Sequence, residues 1–278
     1  MKPLILPIST ALACWMSATA TAATISQYAF EEGTGTSATQ STGGGAPNGT
    51  LVGANTTWVA GIAPGSVSAL NFGAGSRVEI AGSTIWHGLS GFSVSTWIKP
   101  SALSGATTTA SSIFWMGTAG GSARMTLQLN DFGDLRTGGR RTGTELDFNT
   151  ALVAGTNIGA TNGSTNDPIQ VGGLYHVAAT ADYSTGLLSL YLGGNLVASR
   201  TIASWGTGVS ASDQSFIMRI GSNGSGGEQF QGIIDDVQLF NTALTPTEVA
   251  ALAVPEPTAA LLGGIGIMSL FGRRRRVG

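Results

Sequence analysis

Two neighbouring carboxylates near the end of the chain, Asp235 and Asp236, are candidates for binding a ligand or an ion. They lie in the alternating run Ile233–Phe240, a pattern typical of a β-strand. Successive strand residues face opposite sides, so one carboxylate should enter the edge of the fold while the other faces outward. The simpler interpretation is that one of them accepts hydrogen bonds from loop amides and stabilises a turn.

A second pair of carboxylates, Glu145 and Asp147, alternates along a short polar and apolar run. Retaining glycoside hydrolysis requires two carboxyl groups about 5–5.5 Å apart, one as nucleophile and one as acid and base. The run resembles the Glu-x-Asp-x-(x)-Glu strand of concanavalin-A-like glucanases, in which alternate carboxylates line one face, but Asn149 or Thr150 takes the place of the third carboxylate. The resemblance therefore implies that this strand lacks a proton donor. We therefore expect a non-catalytic protein, with hydrolase or lyase chemistry at Glu145 and Asp147 as the alternative.

Aromatic and guanidinium side chains suggest sugar binding. Trp86 and Trp205 lie beside Gly- and Ser-rich turns, where an exposed ring could stack on a sugar. Arg140 and Arg141 follow Arg136 and two glycines, and guanidinium groups there could hold a sugar carboxylate or sulfate in bidentate fashion. Core packing for the tryptophans and a solvated turn for the arginines are the simpler alternatives.

Histidine and serine patterns argue against other chemistries. His87 and His176 are the only histidines, which excludes a His-rich metal site. No Gly-x-Ser-x-Gly motif is present to support a nucleophilic serine. His176 lies in a predicted strand, where packing or a hydrogen bond is its expected role.

Composition sets the class of fold. Glycine accounts for 42 of 278 residues, charged residues for 10 %, and the mean hydropathy is +0.22. Disordered chains carry more charge, helical bundles less glycine, and collagen a strict glycine period, so a turn-rich all-β protein remains. Residues 24–254 contain eight basic and 14 acidic residues, a net charge of −6. That charge excludes a nucleic-acid-binding surface of the usual basic kind.

Residues 1–23 are predicted to be a secretory signal peptide. A basic residue precedes a short apolar run, and Ala18-Thr19-Ala20 and Ala20-Thr21-Ala22 offer small-x-small cleavage sites. The run is short and contains Pro7, which disfavours a membrane anchor. Cys14, the only cysteine, lies within this segment, so the exported domain has no disulfide.

The C-terminal segment, residues 254–278, combines a Pro-Glu-Pro motif, an uncharged stretch and an arginine cluster. Fifteen uncharged residues span about 22 Å as a helix, short of the ~30 Å hydrocarbon core of a membrane. Arginines after such a stretch place the C-terminus in the cytoplasm. The motif and cluster residues are Val254, Pro255, Glu256, Pro257, Arg273, Arg274, Arg275 and Arg276.

This order of motif, apolar helix and basic end resembles the PEP-CTERM sorting signal of exported bacterial proteins. The resemblance implies recognition by an exosortase-type membrane protease and removal of the tail near Pro255–Pro257. It further implies transient contact with the inner membrane, then release or attachment at the cell surface among exopolysaccharide. A permanent tail anchor is the alternative.

The body of the chain, residues 24–253, is a succession of short alternating runs separated by Gly, Asn and Ser turns, and fourteen strands are predicted. So many strands fit a two-sheet antiparallel jelly-roll sandwich. In one run, Phe92 and Val94 should face the core while Ser93 and Ser95 face the other way.

One short helix is predicted at the end of the body. Thr245 is placed to cap its N-terminus, Pro246 suits the first helical position, and Glu248 completes a capping box. The helix should close the domain before the C-terminal segment.

The body also resembles laminin-G-like, concanavalin-A-like jelly-roll domains over about 230 residues. That family consists mostly of carbohydrate- or protein-binding modules, with glycosidases in related branches. The resemblance is carried by Ile25–Gly35, Asn48–Leu51, Trp58, Ala69–Phe72, Phe92–Pro100, Leu174–Ala178, Leu188–Gly194, Gly232–Phe240 and Leu244.

The resemblance implies a structural calcium ion as the only cofactor. In the family, an acidic residue at the position of Asp235 or Asp236 often binds Ca²⁺ with an acidic residue in the loop after the first strand. This chain has Gln40 there, which offers a carbonyl oxygen without charge. Calcium held by Asp235, Asp236 and Gln40 is the prediction.

Taken together, the sequence predicts an exported, non-catalytic jelly-roll protein of the cell envelope or extracellular matrix. Its expected partners are the processing protease and a polysaccharide or matrix component, and its role is carbohydrate binding or matrix structure. A protein-binding adhesion module is a further alternative.

Overall fold

The structure is a computed structural model, and it describes residues 22–42, 46–84, 86–103, 110–118, 123–130, 133–141, 152–154, 169–205, 208–210, 212 and 216–254. These residues form two eight-stranded sheets, which we name sheet A and sheet B. Neighbouring strands within each sheet pair antiparallel.

Sheet A has the strand order β14-β13-β12-β7-β16-β5-β4, and β1 pairs with β16 beside this path. Its strands are β1 Thr24–Tyr28, β4 Thr56–Ala60, β5 Ser68–Phe72, β7 Gly91–Pro100, β12 Tyr175–Asp182, β13 Leu187–Leu192, β14 Asn195–Thr201 and β16 Gly232–Phe240.

Sheet B has the strand order β11-β10-β9-β8-β15-β6-β3-β2. Its strands are β2 Ser37–Ala38, β3 Gly49–Val52, β6 Arg77–Ser83, β8 Ser111–Gly117, β9 Ala123–Leu129, β10 Leu135–Gly139, β11 Leu152–Ala154 and β15 Phe216–Ile220.

One hydrophobic core lies between the inner faces of the sheets. Phe92 and Val94 of β7 enter it as expected, together with residues of sheet B such as Leu127 and Leu129 of β9. Burial of these side chains removes apolar surface from water at about 25 cal/mol per Å², which is the main force holding the sheets together. The two-sheet antiparallel jelly-roll sandwich predicted from the alternation is confirmed.

Helix α1, Pro246–Leu252, packs on the outer face of sheet A. Its capping box is present: the Thr245 hydroxyl accepts from the Glu248 amide at 3.3 Å, and Glu248 Oε2 accepts from the Thr245 amide at 2.8 Å. The hydrogen bond from the Thr245 amide, with others from the Ala22 amide and the Thr245 hydroxyl, lowers the pKa of the Glu248 carboxyl group. Val249 is fully buried against a cluster that includes Ala178, Tyr191 and Phe240. The helix prediction is confirmed.

The predicted strands that fall within the described residues coincide with observed ones, whereas β2, β4 and β11 were not predicted. β2 and β11 span two and three residues, too short for a period of two to show. In β4 both faces are partly exposed, so apolar and polar positions do not alternate clearly.

Several predictions concern residues outside the described ranges. They are the signal peptide up to residue 21, the strand at 145–148 with Glu145 and Asp147, and the sorting segment from Pro255 to Gly278. Among the described residues, no helix has the length and apolar character needed to cross a membrane.

Candidate functional site

A row of side chains crosses the outer face of sheet B. Strand register pairs Thr50 with Glu79, Glu79 with Arg219, Arg219 with Trp115, and Trp115 with Thr126. These residues alternate with core residues on the same strands, so they lie on the face away from the core. At about 4.8 Å between neighbouring strands, the face from β3 to β10 is roughly 24 Å wide.

Two cavities lie along this face, and together we name them the sheet-B groove. The first has a volume of about 200 Å³ and the second about 330 Å³. The first is lined by Trp115, Ala123, Gln128, Arg136, Asn223, Gly224, Ser225 and Glu228, and the second by Asn48, Thr50, Glu79, Ile80, Ala81, Ile217, Met218 and Arg219.

The loop Asn223–Gly227 forms one wall of the first cavity. The Asn223 side-chain oxygen accepts from the amides of Ser225 at 3.1 Å and Gly227 at 2.9 Å, which folds the loop into a compact turn. Gly224 lies directly on the Trp115 indole, since a Cβ atom at residue 224 would approach the ring to 2.3 Å. Trp115 is therefore only 4 % exposed and serves as a floor.

A hydrogen-bonded network fixes the polar groups of the first cavity. Gln128 Nε2 donates to Ser112 Oγ at 2.9 Å and to Glu228 Oε2 at 2.9 Å. The Ser112 amide donates to the Glu228 carbonyl at 2.7 Å. Glu228 adopts a positive φ of 47°, a backbone conformation that costs a non-glycine residue about 1–3 kcal/mol. Because Gln128 Nε2 and Glu228 Oε2 form these bonds, the single side-chain oxygen of Gln128 (Oε1) and the other carboxylate oxygen of Glu228 (Oε1) remain as acceptors.

Arg136 supplies the positive charge of the first cavity. It lies on β10 opposite Gln128 and is half-buried. Its side chain forms no hydrogen bond or ion pair with the described residues. Arg136 thus brings up to five N–H donors to the border of the first cavity without a partner in the described part of the chain.

The charges of the second cavity are paired. Glu79 Oε1 accepts from Arg77 Nε at 2.8 Å and from an Arg219 guanidinium nitrogen at 3.1 Å. The Glu79 side chain is 38 % exposed, so each pair contributes little to stability. Arg219 also donates to the Asn223 carbonyl at 3.3 Å, which connects the second cavity to the loop over Trp115.

The first cavity therefore holds fixed acceptors and one unpaired cation, and its polar strand residue Gln128 is only 4 % exposed. Such an arrangement can bind a polyhydroxylated chain, because each hydroxyl both donates and accepts hydrogen bonds. Several of the groove residues lie on β-strands, which position side chains with greater precision than loops do.

The prediction that Trp86 and Trp205 are exposed sugar contacts is wrong. They are 1 % and 0 % exposed, since Trp86 packs edge-to-face on Phe92 at 5.2 Å and Trp205 packs on Tyr183 at 5.2 Å. A flanking turn does not show whether a ring points into the core, and burial of a large aromatic side chain is strongly favourable.

Arg140 and Arg141, the predicted anion-binding residues, lie close to Trp86. All three line a cavity of about 10 Å³ at one end of the core. This volume is close to that of a single water-sized probe, so the cavity cannot hold a sugar. The sequence thus pointed to three residues that are neighbours in the structure, Trp86, Arg140 and Arg141, but the cavity between them is too small for a sugar.

Asp235 stabilises a loop. It is fully buried, and its Oδ2 accepts from the amides of Ile62 and Ala63, both at 2.8 Å. Burial raises the pKa of Asp235, and the two amide hydrogen bonds oppose that rise. The turn-stabilising interpretation of this carboxylate is confirmed.

Asp236 and Gln40 have separate neighbours. A β-bulge follows Asp235, and Asp236, at φ 48°, accepts from Gln27 at 2.7 Å and Gln238 at 2.6 Å. The Gln40 side chain donates to Thr42.

These contacts do not supply the convergent six to eight oxygens that calcium requires. Among the described residues, no three His, Cys, Asp or Glu side chains cluster. Calcium at Asp235, Asp236 and Gln40 stays a prediction.

His176 lies on the outer face of sheet A. Its Nε2 is 2.8 Å from Ser95 Oγ, and its ring meets Trp97 edge-to-face at 5.4 Å. Both His176 and Ser95 are 2 % exposed, and burial lowers the pKa of His176 to about 4. The expected packing and hydrogen-bonding role of His176 is confirmed.

Sequence reasoning missed Gln128, Glu228 and Arg219 as groove residues. A signal was present for Gln128, because Arg124, Thr126 and Gln128 form the polar half of an alternating strand. No such signal exists for Glu228, whose position depends on the fold of the loop over the sheet.

These features define a two-sheet β-sandwich with a polar groove on an outer sheet face. The Laminin_G_3 model of the concanavalin A-like lectin/glucanases superfamily matches residues 72–250. The chain belongs to this family. A search of curated proteins finds no match.

Solved structures share the fold at low sequence identity. Domain 4 of AbnA, a GH43 extracellular arabinanase from Geobacillus stearothermophilus, in complex with arabinotriose, is 20 % identical with a TM-score of 0.56, covering 84 % of this chain and 100 % of that one. The binding domain of botulinum neurotoxin DC, in complex with rat synaptotagmin II, is 12 % identical with a TM-score of 0.55, covering 83 % and 51 %.

A third similar structure is the Trypanosoma rangeli sialidase in complex with the inhibitor DANA. It is 15 % identical with a TM-score of 0.55, covering 82 % of this chain and 32 % of that one. At these identities the similarities support the fold alone.

Proposed function

We propose that this chain is an exported, non-catalytic polysaccharide-binding protein whose binding surface is the sheet-B groove. The observation that carries the proposal is the first cavity, where Gln128 and Glu228 hold each other in place and keep one acceptor oxygen each for a ligand. Preorganised polar groups bind with a smaller loss of conformational freedom.

The wider similarities are consistent with this proposal. The arabinanase domain was solved with arabinotriose, and the family description names lectins as well as glucanases. Residues 1–23 would direct export, and the motif at Val254–Pro257 with the arginine cluster would direct sorting by an exosortase-type protease to the cell surface or matrix. An exopolysaccharide of that environment is the proposed partner.

Calorimetry of the purified protein with exopolysaccharide from the producing cells tests the function. Heat of binding is expected, and Gln128→Leu should weaken affinity about tenfold because it removes a neutral hydrogen-bonding group. Gln238→Leu is the matched control, since Gln238 is a strand glutamine on sheet A that contacts Asp236.

Three results would contradict the proposal. Absence of heat with the wild-type protein would overturn polysaccharide binding, and equal weakening by both glutamine variants would overturn the location. Release of reducing sugar that is lost in Glu145→Gln or Asp147→Asn would instead establish the hydrolase alternative.

A further inference from the structure

Basic side chains are concentrated on one of the two sheets. Residues 24–254 carry a net charge of −6, yet six of their eight basic residues belong to sheet B or follow β10 directly. The two others, Lys99 and Arg200, lie on sheet A. The six are Arg77, Arg124, Arg136, Arg140, Arg141 and Arg219.

Within the groove, the arginines differ in whether a carboxylate neutralises them. Arg77 and Arg219 share Glu79. Arg136 has no such partner among the described residues, although Glu228 lines the same cavity. Glu228 is held by Gln128 and Ser112, and no ion pair joins its carboxylate to the Arg136 guanidinium.

An unpaired, half-buried guanidinium has given up part of its hydration without gaining a partner. An anion that enters the cavity would restore that lost interaction, whereas a neutral group would restore only part of it. The planar fork of arginine matches the two oxygens of a carboxylate or sulfate. The acceptor oxygens of Gln128 and Glu228 suit hydroxyl groups and would repel a second anion.

From this arrangement we infer that the groove selects acidic sugars, with the carboxylate or sulfate on Arg136 and neighbouring hydroxyls on Gln128 and Glu228. The inference rests on the proposed polysaccharide binding and specifies its substrate class.

Three oligosaccharides of equal length test the inference: tetragalacturonate, its carboxyl-reduced counterpart galactotetraose, and sulfated galactotetraose. Calorimetry with the full chain at low salt should show at least tenfold tighter binding of an acidic probe than of galactotetraose. The preference should shrink as salt is raised, because screening weakens charge contacts. The carboxylate and sulfate arms distinguish the two sources of the anion.

Variants of Arg136 locate the effect. Arg136→Gln should abolish the preference for the acidic probes over galactotetraose. Arg136→Lys should restore part of the preference, since it keeps the charge and loses the fork. Arg200→Gln, which removes an exposed arginine of sheet A, is the matched control and should leave all affinities unchanged.

The outcomes separate the two proposals. If none of the probes nor the exopolysaccharide binds, polysaccharide binding itself is overturned. If galactotetraose binds as tightly as the acidic probes, or if Arg136→Gln keeps the preference, the acidic-sugar inference is overturned and polysaccharide binding stands.

Discussion

The outer faces of the two sheets carry similar alternating polar residues, but α1 covers part of sheet A whereas sheet B carries two cavities, and we call these regions the closed face and the open face. On sheet A, the Ser93 hydroxyl accepts from the Leu244 amide at 2.9 Å and donates to the Thr242 carbonyl at 2.8 Å, and α1 covers the neighbouring cluster. On sheet B, Gln128 and Arg136 line a cavity. The chain segment that packs over a strand thus decides the role of the strand's outer polar residues. Where a segment covers them they contribute to stability, and where a cavity remains they can bind a ligand.

The largest expected effect comes from opening the closed face. Val249→Asp places a charge where Val249 is fully buried against Ala178 and Phe240. Either α1 detaches from the sheet or the carboxylate stays buried without water, and both outcomes destabilise the protein. We expect a loss of about 3 kcal/mol or more in the free energy of unfolding, measured by chemical denaturation.

Thr247→Asp is the control on the same helix, because Thr247 is exposed in the first turn and an acidic residue is favourable there. Its stability should stay within about 0.5 kcal/mol of wild type. At denaturant concentrations below its unfolding transition, the Val249→Asp protein should still bind polysaccharide. Loss of binding without loss of stability would show that the helix-covered face is the binding face, and would reverse the comparison.

The sequence predicted the faces but not their use. Alternation placed Phe92 and Val94 inside and Ser93 and Ser95 outside, and the structure agrees, because a strand has a fixed period of two. Nothing in Ser95 or Gln128 themselves shows that the former meets His176 and the latter lines a groove. That depends on contacts between residues more than 80 positions apart in sequence.

The tryptophans show the same limit. Trp86 and Trp115 are both buried, yet only Trp115 belongs to the groove. The indole of Trp115 is covered by Gly224, whose lack of a side chain allows the loop to approach. Sequence alone indicates a flexible glycine-rich turn at that position, whereas its docking on β8 is a tertiary contact.

A second prediction concerns the pH dependence of the closed face. Burial lowers the pKa of His176 to about 4 from about 6.5, so the folded state resists protonation that the unfolded state accepts. The contribution of neutral His176 to the free energy of unfolding is fully present above about pH 6.5 and decreases as the pH falls toward 4. The 2.5-unit difference corresponds to roughly 3 kcal/mol at most.

Chemical denaturation at several pH values between 4 and 7 measures this effect. In His176→Gln the decline should be smaller than in wild type by up to that amount, whereas His87→Gln should retain the wild-type decline. An identical pH dependence of wild type and His176→Gln would mean that His176 is solvated in the folded state, and would contradict the closed character of this face.

The smallest effect should come from the open face. Glu79→Gln removes the carboxylate shared by Arg77 and Arg219, and because these pairs are exposed, stability should change by less than about 1 kcal/mol. Arg219 lies beside Trp115 in the row, so its release should tighten tetragalacturonate binding two- to threefold.

Asp182→Asn makes the same change in net charge at the end of β12 on sheet A, and it separates a local effect from a general one. Charges more than about 8 Å apart are largely screened at physiological salt, so this control should not alter the affinity measured by calorimetry. If both variants tightened binding equally, the overall charge would govern the affinity, and the groove arginines would lose their special role.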